Sequence, residues 1–161
     1  MVETLVVSVD VGVVHMGLAV FVDGTLTEIG CRAVRKPVSV RGVEEVVFDP
    51  WPAMTLLLVE RQVPRNAAAQ KIMHYLEALA HGKGITFHAI DPKARRLLFA
   101  EGAKTDTYAS RKRAAVEAAR PMLLPTPELA ETFESLPKKD DVADAILQAR
   151  AWFVRHPPPT G

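Results

Sequence analysis

Asp10 ends the apolar run Leu5-Val6-Val7-Ser8-Val9, and Glu60 ends a second run, Met54-Thr55-Leu56-Leu57-Leu58-Val59. An ionised carboxylate at the end of a buried strand needs a charge partner, a hydrogen-bond network or a metal cation, because low dielectric otherwise penalises it. A third acidic group, Asp140, Asp141 and Asp144, opens the last helical stretch. Asp141 and Asp144 are three residues apart and Asp140 and Asp144 four, so either pair can share a helix face and spacing does not choose between them. If that helix end crosses the two strand ends, three or four carboxylates meet without a comparable set of cations in the same motifs. Such an arrangement suits a hard divalent ion, with Mg2+ the natural candidate. Taken singly, each acid has a plainer reading. The three helical acids cap a helix and complement its dipole, Glu60 pairs with Arg61 or another base, and Asp10 belongs to a turn with Gly12. The capping reading is kept for Asp140, while the set as a whole favours metal-assisted chemistry.

The elements that would position these groups follow from apolar pattern and turn chemistry. Residues 5 to 9 and 18 to 22 read as strands, Asp23-Gly24 as the turn between hairpin strands, and Thr25 to Val34 as a third strand, so the chain opens as an antiparallel meander. Charges and prolines interrupt any pattern from Lys36 to Pro52. The run at Met54 to Val59 is a fourth strand. Asn66 caps a helix with Ala69, Ile72, Met73, Leu76, Leu79 and Ala80 at helical spacing, closed by Gly82 and Gly84, and Ile85 to Ile90 is a fifth strand. Asp91-Pro92 opens a helix to about Ala100. Ser110 opens another, to about Leu123, with Arg111, Lys112 and Arg113 in its first turn. Pro121, Pro125, Pro127 and Pro137 punctuate a connection, and a last helix runs from about Lys139 to Val154. Strands first, then alternating strand and helix, predict an α/β domain over residues 1–155, a mixed five-stranded sheet covered by helices on both sides, with 156–161 as a flexible tail.

At 161 residues, with 48% hydrophobic and 24% charged residues, the composition is that of one globular domain. Cys31 is the only cysteine, which excludes an intramolecular disulfide and cysteine-clustered metal sites and makes a reducing compartment the default. The start Met1-Val2-Glu3-Thr4 lacks the positive charge of a secretory signal, and no apolar run is long enough for a membrane span. The expectation is a soluble, intracellular protein without membrane association.

Val9-Asp10-Val11-Gly12, Val59-Glu60-Arg61-Gln62 and Lys139-Asp140-Asp141-Val142-Ala143-Asp144-Ala145 together resemble the Holliday junction resolvases of the RuvC class, nearest to the poxvirus and phage branch. The similarity spans about residues 5 to 150 in the right order. It implies a ribonuclease H-like fold and a metal-dependent endonuclease with Asp10, Glu60, Asp141 and Asp144 as metal-binding carboxylates, choosing Asp141 over Asp140. It implies two Mg2+ ions per site, with Mn2+ able to substitute and no organic cofactor. It also implies four-way branched DNA as partner and paired nicks leaving 5′-phosphate and 3′-hydroxyl ends. Val13-Val14-His15-Met16-Gly17 lacks the Lys-Asn pair associated with the viral branch, so no substrate contact is assigned there.

Charge distribution supports a phosphate-bearing partner that the net charge of +1 conceals. Residues 61 to 120 carry 12 basic and 5 acidic side chains, against 4 and 8 before them and 4 and 6 after. Lys and Arg there would neutralise backbone phosphate while the carboxylates recruit metal. Arg61, Gln62 and Arg65 are DNA-contact candidates because they follow Glu60. Lys104, Arg111, Lys112 and Arg113 are candidates because they cluster near a helix start whose free amides also receive phosphate. His15, His74 and His88 have no ligand spacing, and Trp51 and Trp152 read as packing residues. Two equivalent strands to cut call for a two-fold homodimer, with the helix after Asn66 as candidate interface or, equally, as a core element. Competing readings are a related nuclease for RNA–DNA hybrids or other branched DNA, and a non-catalytic junction-binding protein, which the retained acids disfavour. An actin-like nucleotide phosphatase shares an Asp-x-Gly hairpin but needs two lobes.

Overall fold

Alternation along the first strand decides the architecture. In the computed structural model, which describes residues 3–158, β1 (Leu5–Asp10) sends Val7 and Val9 to one face of the sheet and Val6 and Ser8 to the other, all of them fully buried. A strand covered on both sides reads as a continuous apolar run. β2 (His15–Val22) and β3 (Thr25–Ala33) continue from β1 as an antiparallel meander, turned at Asp23 and Gly24, which both take positive φ. β4 (Leu56–Glu60) and β5 (Thr86–Ile90) add in parallel on the other side of β1, giving the order β3-β2-β1-β4-β5. The expected mixed five-stranded sheet with helices on both faces is therefore what the chain builds.

One face carries α1 (Val40–Val47) and α2 (Ala67–Gly82), packed through Val43, Val47, Ile72, Leu76 and Ala80 onto Val7, Val9, Leu57 and Val59. Asn66 caps α2 as expected, accepting from the Ala69 amide at 3.1 Å. Ile72, Leu76 and Ala80 of the α2 stripe are buried in the chain's own core, with Met73 and Leu79 partly buried beside them. The other face carries α3 (Tyr108–Leu123), α4 (Pro127–Ser135) and α5 (Lys139–Arg155), packed onto Val6, Ala19, Phe21 and Leu58. Between β5 and α3 the chain forms a 3-10 helix, Pro92–Leu98, shorter and tighter than the helix expected there.

Two helices lie hidden in segments that read as irregular. Ser39 caps α1, accepting from the Gly42 amide at 3.0 Å, and the charges that obscure its pattern pair along the helix, Arg41 with both Glu44 and Glu45. In α4, Pro127 occupies the start of the helix, where a missing amide hydrogen costs nothing, and Phe133 is wholly buried. The expected tail begins with His156 stacked on Trp152 at 3.7 Å, and Pro158 lies against Gly24; residues 159–161 lie outside the described residues. Among the described residues no helix is long and apolar enough to cross a membrane.

α5 reaches the sheet through two close approaches. Asp10 pairs with Gly17 across the β1–β2 ladder, and a Cβ at Gly17 would stand 2.1 Å from the carbonyl oxygen of Asp141. Only bare backbone lets the first turn of α5 rest there. Two turns on, the buried Gln148 amide nitrogen lies 3.1 Å from Ser8 Oγ and 3.2 Å from the carbonyl oxygens of Val9 and Leu58, tying the helix to the strands that end in Asp10 and Glu60. Gln148→Leu is expected to destabilise the fold by about 1–3 kcal/mol, a fall of roughly 3–10 °C in thermal midpoint. An unchanged midpoint would show that this clamp contributes nothing.

Candidate functional site

Asp10 and Glu60 follow Val9 and Val59, which are direct partners in the parallel β1–β4 ladder, so the two acids leave the sheet side by side. By strand alternation both face α5, with Ser8 and Leu58. On α5, Asp141, Asp144 and Gln148 follow one another at three- and four-residue spacing and share one helix face. Gln148 docks that face onto β1 and β4, which carries Asp144 and Asp141 over the strand ends. Asp10, Glu60, Asp141 and Asp144 accordingly line one pocket of about 540 Å³.

Asp140 lines the same pocket but is engaged by a different neighbour. It forms an ion pair with Lys112 of α3, whose ammonium also lies 4.7 Å from the centre of the Tyr108 ring. Burial acts to raise the Asp140 carboxyl, but the Lys112 hydrogen bond and charge outweigh it and hold the group below the usual range. Burial likewise acts to lower the Lys112 ammonium, and its bonds to Asp140 and Tyr108 keep it well above its ordinary value.

Asp10, Asp141 and Asp144 shift the other way. Burial, then the adjoining Glu60 carboxyl and the charge of Asp144, push Asp10 far above the carboxylate range, with Arg95 opposing. Asp141 is raised by burial and by Asp140. Burial pushes Asp144 up to about 7, against Arg95 and with Glu60, Asp140 and Asp141. Burial is the largest cause in each case, and repulsion from neighbouring carboxylates adds to it.

The partial remedy is a residue that sequence reasoning passes over. Arg95, from the 3-10 helix, places Nη1 3.0 Å from Glu60 Oε2 and 3.6 Å from Asp144 Oδ2, with its side chain only 14% exposed. Burial acts against its charge, yet Asp144, Glu60 and Asp10 together raise it. The available signal is that Arg95 and Arg96 closely follow β5, the neighbour of β4, but nothing local says which arginine turns inward. Among the described residues no three acid, histidine or cysteine side chains converge in a ligating arrangement, and Arg95 lies between two of the acids. The donor chemistry nevertheless fits a hard divalent cation: every donor is a carboxylate oxygen, and one arginine does not offset the burial and mutual repulsion that lift Asp10, Asp141 and Asp144.

The raised Asp144 carboxyl has a pH signature in metal-free protein. Between its unfolded value near 3.9 and its folded value of about 7, the folded chain retains a proton that the unfolded chain has lost. Stability therefore falls as pH rises across that interval, and the penalty is complete above about 7. Thermal midpoints measured with chelator from about pH 5 to 8 should decline, and Asp144→Asn should lessen the decline. Parallel profiles for the two proteins would contradict the shift.

The cationic candidates divide. Arg111 and Lys112 line the pocket beside the acids, joined by Lys93 and Arg96, which no sequence motif singles out. Arg113 lies on another surface of α3, and Arg61, Gln62, Arg65 and Lys104 do not line the pocket. The Gln62 side chain instead donates to the Glu60 carbonyl at 2.8 Å. α3 starts at Tyr108 under a Thr107–Ser110 capping box, which puts the basic trio beyond the expected first turn and occupies two donors otherwise free for phosphate.

Comparison with known proteins accords with this architecture. The family model described as Poxvirus A22 protein matches residues 4–156. Uncharacterized protein 97L of Invertebrate iridescent virus 3 is 36% identical over 107 residues, covering 63% of this chain and 49% of that protein, so the chain spans about half the length of the curated relative it matches. Among solved structures, Fowlpox virus resolvase in complex with substrate Holliday junction DNA superposes with a TM-score of 0.71 at 16% identity, covering 93% of this chain and 99% of the other. Thermus thermophilus RuvC in complex with a Holliday junction substrate gives 0.59 at 17% identity, covering 96% and 97%. The sheet order and flanking helices are thus those of the ribonuclease H-like fold that these proteins share, and by its family match the chain belongs to the poxvirus A22 protein family.

Proposed function

We propose that this chain is a Holliday junction resolvase, a structure-specific endodeoxyribonuclease that makes paired symmetric nicks in four-way DNA. The observation that carries the reading is the gathering of Asp10, Glu60, Asp141 and Asp144 in one pocket beside Lys93, Arg96, Arg111 and Lys112. Carboxylates alone would repel a phosphodiester, and cations alone would bind it without cutting. Placed side by side, they suit hydrolysis of a backbone phosphate.

Asp10, Glu60, Asp141 and Asp144 would hold two Mg2+ ions, with Mn2+ able to substitute, and the bound metal would supply Lewis-acid charge for water activation and for the leaving 3′ oxygen. The protein's own share is positional. The strand ladder fixes Asp10 against Glu60, and Gln148 and Gly17 fix the turn carrying Asp141 and Asp144 over them. Arg111 and Lys112 neutralise backbone charge at the pocket edge, with Arg61, Gln62, Arg65, Lys104 and Arg113 as outlying contacts to the junction arms. The products are a 5′-phosphate and a 3′-hydroxyl. Two such sites in a two-fold homodimer match the two equivalent strands of a junction.

A panel of labelled four-way junctions, flaps, duplexes and RNA–DNA hybrids, with and without Mg2+, tests the proposal. Paired symmetric nicks confined to junctions and dependent on the metal are expected. Preferential cutting of hybrids would assign the site to another substrate, and junction binding without cutting would make the chain a non-catalytic binder. Replacing Arg111, Lys112 and Arg113 together by Ala should weaken junction binding and reduce the slope of log affinity against log salt by about 0.9 for each DNA phosphate left unneutralised. An unaltered slope would remove this helix from the interface.

A further inference from the structure

Arg95 stands where a cation belongs. Its guanidinium bridges Glu60 Oε2 and Asp144 Oδ2 close to Asp10, and these are oxygens a metal ion would need. Resting on the metal-site reading above, we infer that Arg95 is an internal counter-ion of the metal-free protein and exchanges with a divalent cation.

A carboxylate lone pair serves either the arginine or the metal, and two cations so close together in a half-buried pocket repel one another. Something must leave when the metal enters, and the geometry says which group can. Asp10 and Glu60 are held in a strand ladder and Asp144 in a long helix, whereas Arg95 rides on a 3-10 helix of seven residues beside open pocket space. Lys93, Arg96 and Arg111 line the same pocket, Lys93 and Arg96 exposed, so a released guanidinium joins other cations at its edge. There its planar fork suits a phosphate oxygen pair. Before the exchange the arginine keeps three crowded acids compatible with a folded chain. Afterwards it becomes part of the DNA-facing surface.

Mn2+ binding to protein stripped with chelator, followed through the electron paramagnetic resonance signal of the free ion, tests the exchange. Arg95→Gln should bind Mn2+ about tenfold more tightly than the unaltered protein, within the usual range for coupled sites, and should melt at a lower temperature without metal. Arg95→Lys, which keeps the charge, should stay near the unaltered affinity. Equal or weaker binding by Arg95→Gln would overturn the inference while leaving the metal site intact. No Mn2+ binding by the unaltered protein would overturn the metal-site reading and the exchange with it. A second measurement needs no variant. Phenylglyoxal labelling read by mass spectrometry should spare Arg95 in metal-free protein and modify it at saturating Mn2+, with exposed Arg35 as internal reference. Continued protection of Arg95 at saturation would also overturn the exchange.

Discussion

Glu60→Gln is expected to abolish junction nicking while leaving junction binding within about twofold, since the phosphate contacts proposed above fall to basic residues elsewhere. The glutamine retains an oxygen that can accept from Arg95, so the bridge between β4 and the 3-10 helix has a substitute and the fold should hold. It lacks the second oxygen and the charge. A loss of at least about 10³-fold in nicking corresponds to ~4 kcal/mol, the scale on which one strategically placed electrostatic group acts. Rates measured under single-turnover conditions, with binding measured separately by gel shift in chelator, separate the two effects. Full activity in the variant would remove Glu60 from the machinery and with it the proposed chemistry of the pocket.

Gly17→Ala should damage both fold and activity without touching a charged group. The added methyl group would meet backbone atoms on all three nearest sides: the carbonyl oxygen of Asp141 at 2.1 Å, its carbon at 2.3 Å and the Val142 nitrogen at 2.8 Å. No side chain can swing aside, so the whole first turn of α5 must lift. Overpacking of this kind costs about 1–3 kcal/mol, a fall of roughly 3–10 °C in the midpoint. Lifting that turn also displaces Asp141 from Asp10, the ladder partner of Gly17. A misplacement of about 1 Å can reduce a rate about 10²-fold, so activity should fall well below what the smaller folded population explains. Circular dichroism melts and nicking assays at a temperature where the variant is fully folded distinguish the two contributions. A variant with unaltered midpoint and rate would show that α5 does not rest on β2.

Much of this site is visible in the amino-acid sequence. A buried strand that ends in an acid is costly enough to stand out, and two such strands with an acidic helix start make Asp10, Glu60 and the group Asp140, Asp141 and Asp144 legible, the choice of Asp141 over Asp140 resting on the family resemblance alone. Their common pocket follows from the ladder partners Val9 and Val59, which no local pattern reveals but which parallel pairing makes natural. Arg95 is illegible for the opposite reason. It is separated from Glu60 by 35 residues and lies in a segment whose only signal is a helix start, so its inward turn emerges from tertiary packing alone. Gln148 looks like an ordinary polar residue in an apolar helix, although its spacing from Asp144 and Asp141 is the clue to a shared face. Helices α1 and α4 escape a pattern reading because proline and paired charges pass for interruptions. In α4 the proline opens the helix, and in α1 the charges are its outer surface.

The ladder that sets Val9 opposite Val59 also limits how this lineage can change length. One residue inserted within either strand would rotate its terminal acid to the opposite side of the sheet, toward α2 and away from its partner. Drift in chain length is therefore admissible in the connection from Arg61 to Asn66, but not in the few residues before Glu60. Alignments of distant members should show gaps crowding up to these acids and stopping short of the strands that carry them.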